Sequence, residues 1–204
     1  MKSKLKFLLI AVMVLSLSAC KNAKNDSEKT AETGFTVVDS SATIKWTAYK
    51  TTEKLPVSGV FKTINITNSK QAETAELALD SLQFSIPVSS LFSNNPERDG
   101  KLKDLFFGIM ANTSLLNGTI HVEGDKMGSL EVVMNGVTKS LPLTFTTAGD
   151  TIHFSGVMNL PEWNVTEAFA SLNKACFDLH KGKDGISKTW DDVLIEASVV
   201  SIKK

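Results

Sequence analysis

The chain has 204 residues, 42% hydrophobic and 22% charged, and its 22 basic residues balance 22 acidic ones. No basic stripe is present, and the one arginine, Arg98, lies beside Glu97 and Asp99, which argues against nucleic acid as a partner. Two cysteines are too few for a disulfide framework, so the fold must rest on a hydrophobic core.

The chain begins with a leader-like segment. Lys2, Lys4 and Lys6 give a positive start, and residues 7–17 are apolar except for Ser16. Such a run has the length of a signal-peptide core and is too short to cross a bilayer, which takes ~20 residues. Leu17, Ser18, Ala19 and Cys20 follow at once. This string resembles the lipobox of bacterial lipoproteins. The resemblance implies that residues 1–19 are a lipoprotein signal peptide and that Cys20 is acylated. Each buried methylene adds about 0.8 kcal/mol, and one acyl chain alone anchors a protein only marginally, so more than one chain is expected. Cleavage removes three lysines and no acids, leaving 19 basic against 22 acidic residues, a net of −3. Lys21 and Asn22 do not form the aspartate-type retention signal known in enterobacteria. The expected location is the cell envelope, lipid-anchored at the outer membrane on its periplasmic or surface face.

Residues 21–34 contain no large apolar residue and read, with Cys20, as a flexible tether. Residues 35–204 are of the size of a single domain. Alternation of period two marks strands along it. Ile44, Trp46 and Ala48 share one face of a strand over 42–50. In a run over 57–66, Val60, Ile64 and Ile66 alternate with Phe61, Thr63 and Asn65. Two alternating runs lie within 76–86, and their phase slips at Asp80 and Ser81, which predicts a bulge. Further strands are predicted over 116–122, 130–134, 141–145, 152–160 and 193–199. Gly124-Asp125, Asn135-Gly136 and Gly149-Asp150 read as hairpin turns. About eight or nine strands at this spacing predict a sandwich or barrel.

Two helices interrupt the strands. Asn95 and Pro96 form a good start, followed by Leu102, Leu105, Phe106 and Ile109 at helical spacing. A second helix is predicted over 164–180, with Asn164 and Glu167 as a capping box. Its stripe of Val165, Phe169, Leu172, Cys176 and Leu179 predicts core packing and a buried Cys176. The three histidines, His121, His153 and His180, lack zinc-ligand spacing. The carboxylates at Glu97–Asp99 and Asp191–Asp192 read as capping and solvation. No phosphate loop and no nucleophile–base–orienter set is visible, so no catalytic residue, metal site or enzymatic activity is expected.

Four segments carry a resemblance. Residues 94–107 (NNPERDGKLKDLFF) resemble the Asn…Arg-Asp…Leu…Phe-Phe helix of the YceI-like lipid/polyisoprenoid-binding family. Asn135, Gly136, Val137, Thr138 and Lys139 resemble its Gly-Val-Thr-Lys hairpin. Gly59 and Phe61 are similar to its Gly-x-Phe strand, and residues 192–197 to its last strand. The resemblance covers most of 35–204. It implies a mainly β fold: an extended, lipocalin-like antiparallel barrel of about eight strands with two helices, one near the opening of a long apolar cavity. It also implies a non-enzymatic carrier or sensor of an apolar lipid, such as an isoprenoid quinone or prenyl phosphate, with no other cofactor. Strand alternation places Ile44, Trp46, Ala48, Phe61, Leu82, Phe84, Ile86, Phe106, Ile120, Val122, Leu141, Leu143, Phe145 and Phe154 towards that cavity. Residues 159–180 depart from the family pattern and are read as an insertion that either closes the cavity or replaces part of the ligand site. The alternative is a lipid-anchored interaction domain whose barrel is filled by its own side chains.

Overall fold

A computed structural model describes residues 33–124 and 126–204. The leader, Cys20 and the tether up to residue 32 lie outside the described residues, as does Asp125. Among the described residues, ten strands form one antiparallel sheet. They are β1 (Phe35–Lys50), β2 (Leu55–Phe61), β3 (Asn65–Thr67), β4 (Gln83–Pro87), β5 (Leu91–Phe92), β6 (Leu115–Gly124), β7 (Met127–Met134), β8 (Val137–Ala148), β9 (Thr151–Asn159) and β10 (Asp192–Lys203). Two α-helices accompany them, α1 (Pro96–Lys101) and α2 (Thr166–Ala175). The sheet order is β3-β4-β6-β7-β8-β9-β10-β1-β2-β5, a sheet curled around one core. Its edge strands β3 and β5 are three and two residues long, which leaves little unpaired backbone for another chain to join.

The long hairpins follow the alternation. Along β7, Leu130, Val132 and Met134 are buried, and along β8, Leu141, Leu143 and Phe145. Asn135 and Gly136 both take positive φ, 52° and 70°, as the mirror-image turn of a two-residue hairpin requires. β1 is longer than its predicted 42–50 core. It begins at Phe35 and passes a register shift between Val38 and Thr43, where Ser41 Oγ donates to Val38 O and accepts from Val200 N.

Four sequence expectations are corrected. The run over 57–66 is broken: β2 ends at Phe61 and β3 starts at Asn65, at opposite ends of the sheet. Val60 is 38% exposed, whereas Phe61, Ile64 and Ile66 all face inward, so the alternation changes phase across the break. The expected bulge near Asp80 is a 3-10 turn over Leu77–Leu79, followed by Ser81 at φ 64°. The first helix starts as expected, with the Asn95 side chain accepting from Arg98 N. It then widens into a π-helical turn over Leu102–Phe106 and tightens into a 3-10 turn over Phe107–Ile109. Those changes of pitch turn Ile109 outwards, to 47% exposure, and bury Met110. The second helix is shorter than 164–180. Asn164 takes a left-handed conformation at the end of the 3-10 turn over Leu160–Trp163, so it cannot cap α2, and Val165 stands at that position without a side-chain bond. Val165, Leu172 and Cys176 are buried, but Leu179 is 55% exposed because it lies on a separate turn over Asp178–His180.

The carboxylates at 97–99 do more than cap a helix. Glu97 does pair with Lys101 at 2.6 Å on the surface. Asp99, in contrast, is buried, and its Oδ1 accepts from Ser93 N at 2.9 Å and from Ser93 Oγ at 2.6 Å. It therefore ties the start of α1 to the chain leaving β5. Asp99→Ala is expected to cost about 1–3 kcal/mol, because two donors lose their partner. A urea midpoint unchanged from wild type would contradict this.

Candidate functional site

Inside the curled sheet lies a cavity of about 140 Å³. Strands β1, β4, β6, β7 and β10 supply half of its lining residues, among them Ile44, Ala48, Ile86, Leu116, Val132 and Ile195. The helical segments supply another part: Leu102, Phe106 and Phe107 from the widened first helix, and Phe169 and Leu172 from α2. Phe106 and Phe107 meet edge to face with centroids 5.1 Å apart. A second, smaller cavity of about 50 Å³ adjoins it, lined among others by Ala42, Ile64, Ile66 and Val199. The larger volume resembles that of a ~150 Å³ apolar cavity able to take benzene, and lies below the ~300–1,000 Å³ of drug-sized sites.

Of the residues assigned to the cavity from alternation, Trp46, Ala48, Phe61 and Phe106 line the larger cavity. Ile44, Phe84 and Ile86 line both cavities, and Leu82, Ile120, Leu143 and Phe154 the smaller one. Val122, Leu141 and Phe145 line neither. Phe145 is packed edge to face on Phe154 at 5.9 Å and lies over Gly128. Leu141 fills the space left by Gly156, and Val122 is half-buried against the core. Gly128 and Gly156 leave room for Phe145 and Leu141, so these two side chains pack where an inward position alone suggests a pocket. Sequence reasoning placed Phe106 of the first helix there but missed Leu102, Phe107, Phe169 and Leu172, and also Thr189 and Trp190. The apolar stripes of both helices were visible, but a stripe does not distinguish core from cavity wall.

Thr189 and Trp190 bring the polar groups of the wall. Trp190 Nε1 donates to Thr51 O at 2.9 Å, and its ring carries Lys188 Nζ at 3.7 Å and Lys54 Nζ at 4.7 Å from the centroid. Such cation–π contacts fix the indole with little conformational freedom. Lys54 also pairs with Asp192 at 2.8 Å. Thr189 Oγ1 bonds His180 Nδ1 at 2.6 Å. Trp46 is buried with its indole packed on Gly59, where a Cβ would come within 2.3 Å of the ring, and its N–H has no partner among the described residues.

Burial pushes the His180 imidazole below its ordinary range, and Lys50 and Lys101 push it further the same way. A histidine with a depressed folded pKa binds a proton less readily folded than unfolded. Stability is therefore retained above the unfolded value, near 6.5, and falls as the pH drops from there towards the folded pKa. His180→Gln is expected to flatten that part of the stability profile, measured as thermal midpoint against pH. Cys176 is free and buried, and burial raises its thiol pKa, which keeps it protonated and unreactive. Among the described residues, no group of histidine, cysteine and acidic side chains converges to hold a metal ion.

The YceI-like domain model matches residues 35–201. The chain belongs to the YceI-like domain family. The YceI-like domain is similar to a solved polyisoprenoid binding domain from Saccharophagus degradans implicated in plant cell wall breakdown, at 12% identity and TM-score 0.58. That match covers 84% of this chain and 99% of the other. It is also similar to BcnA of Burkholderia cenocepacia, at 17% identity and TM-score 0.52, over 81% of this chain and 99% of that one. These likenesses establish a shared fold. No curated protein matches the YceI-like chain.

Proposed function

We propose that this YceI-like domain binds an isoprenoid or similar apolar lipid in its interior, as a non-enzymatic carrier or sensor. The observation that carries the reading is the larger cavity, whose wall is built almost wholly from aliphatic and aromatic side chains. The S. degradans domain of the same fold, a polyisoprenoid binding domain, supports it. Burial of an apolar chain contributes roughly 25 cal/mol per Å², and this needs no catalytic group. An isoprenoid quinone and a prenyl phosphate both offer such a chain. At about 140 Å³ the cavity takes only a short part of one, so a longer ligand enters by moving wall side chains. The same small volume favours a second reading, an interaction domain filled by its own side chains.

Trp46 and Trp190 both line the cavity and report on its contents. Titration with farnesol is expected to change tryptophan emission saturably, near one molecule per chain. Emission that stays flat while farnesol remains free in solution selects the filled-barrel reading.

The proposed setting is the cell envelope, with acylated Cys20 as the anchor. Cys20→Ser is expected to abolish incorporation of labelled fatty acid and to move the protein out of the sedimented membrane fraction. Continued labelling and sedimentation of that variant would remove the anchor from the account.

A further inference from the structure

We infer that Phe84 partitions the interior and sets how long an apolar chain the domain accepts, an inference that rests on the lipid-binding reading above. The two cavities share five wall residues, Ile44, Phe84, Ile86, Leu130 and Ile195. Phe84 is the one aromatic side chain among them, so it is the broadest barrier between the chambers. Its position follows from strand pairing. Phe84 on β4 lies opposite Gly118 on β6. A Cβ at residue 118 would stand 2.5 Å from Phe84 Cζ and 2.8 Å from Cε1, so the ring rests in the space that glycine leaves. On its other side β4 pairs only with β3, a three-residue edge strand that gives the ring a short, weakly held neighbour. A short chain is housed in the 140 Å³ chamber, and a longer one must turn Phe84 aside to reach the 50 Å³ chamber beyond it.

The test compares geraniol, farnesol and geranylgeraniol, which lengthen by one isoprene unit at each step, by tryptophan fluorescence titration on the whole protein. In Phe84→Ala the chambers join. The ratio of geranylgeraniol to geraniol affinity is expected to rise at least tenfold over wild type, about 1.4 kcal/mol. Phe84→Leu, the milder truncation, is expected to raise it part of the way, and it carries the test should the alanine variant not fold. Binding of all three alcohols with an unchanged ratio in a folded variant overturns the partition alone. Failure of the wild type to bind any of them overturns the lipid reading and the partition with it.

Discussion

Trp163→Ala is expected to lose about 3–5 kcal/mol of stability, among the largest effects of any single substitution. Trp163 is fully buried, and its Nε1 donates to Val132 O at 3.1 Å. Its own carbonyl accepts from Asn135 Nδ2 at 3.0 Å. The same Asn135 side chain reaches Asn164 O and accepts from Ala111 N, while its backbone N–H donates to Thr113 Oγ1. The turn over Leu160–Trp163 is thus pinned to the β7–β8 hairpin and to the end of the first helical segment. Removing the indole leaves a cavity and strands the Val132 carbonyl. For a domain stable by ~5–15 kcal/mol, the loss is a large share of the total. The fall is read from chemical denaturation, with Trp163→Phe as the companion that keeps the ring volume more nearly and should lose less. A shift under about 1 kcal/mol for Trp163→Ala would contradict this packing. Because the turn leads directly into α2, which supplies Phe169 and Leu172 to the cavity wall, folded survivors should also bind farnesol more weakly.

The second large effect concerns binding rather than stability. Ala48→Phe places a ring into the chamber from the β1 wall. Farnesol affinity is expected to fall at least a hundredfold, while the thermal midpoint stays close to wild type because the new ring occupies existing space. Overpacking a filled core costs ~1–3 kcal/mol, so a marked drop in midpoint would mean that the chamber is already closed. Unchanged farnesol affinity in the folded variant would place the ligand elsewhere.

Much of this fold is legible in period-two alternation. The hairpins β6–β7, β7–β8 and β8–β9 are local, the last two are joined by tight turns, and their inward residues are spaced by two. The failures have a common physical cause: they depend on partners distant in sequence. Nothing local at Lys62 and Thr63 shows that the chain leaves β2, next to one edge of the sheet, and reappears at the other edge, since Ile64 and Ile66 simply continue an apolar pattern. The π-helical turn at Leu102–Phe106 packs against α2, and Phe106 and Phe107 at its end both reach the cavity wall. Asn135 reads as a turn residue, which it is, but its side chain also joins three segments that only the folded chain brings together. The candidate site was half legible for a related reason. Alternation reports that a side chain points inward. Whether space remains beside it depends on residues of the neighbouring strands, as Gly128 on β7 and Gly156 on β9 show by receiving Phe145 and Leu141 of β8. The departure over 159–180 was visible as a break in pattern. So was a place for it at the cavity; the residues it gives to the wall, Leu160, Phe169 and Leu172, were not.

The central claim is that the interior of this YceI-like domain holds an apolar lipid. The most direct measurement is to purify the full chain from membranes of its own host, extract it with organic solvent and identify the extract by mass spectrometry. An isoprenoid or similar apolar chain is expected in near-stoichiometric amount from the wild type and in greatly reduced amount from Ala48→Phe prepared in parallel. Equal recovery from both proteins, or none from a wild type purified without detergent exchange, would contradict it.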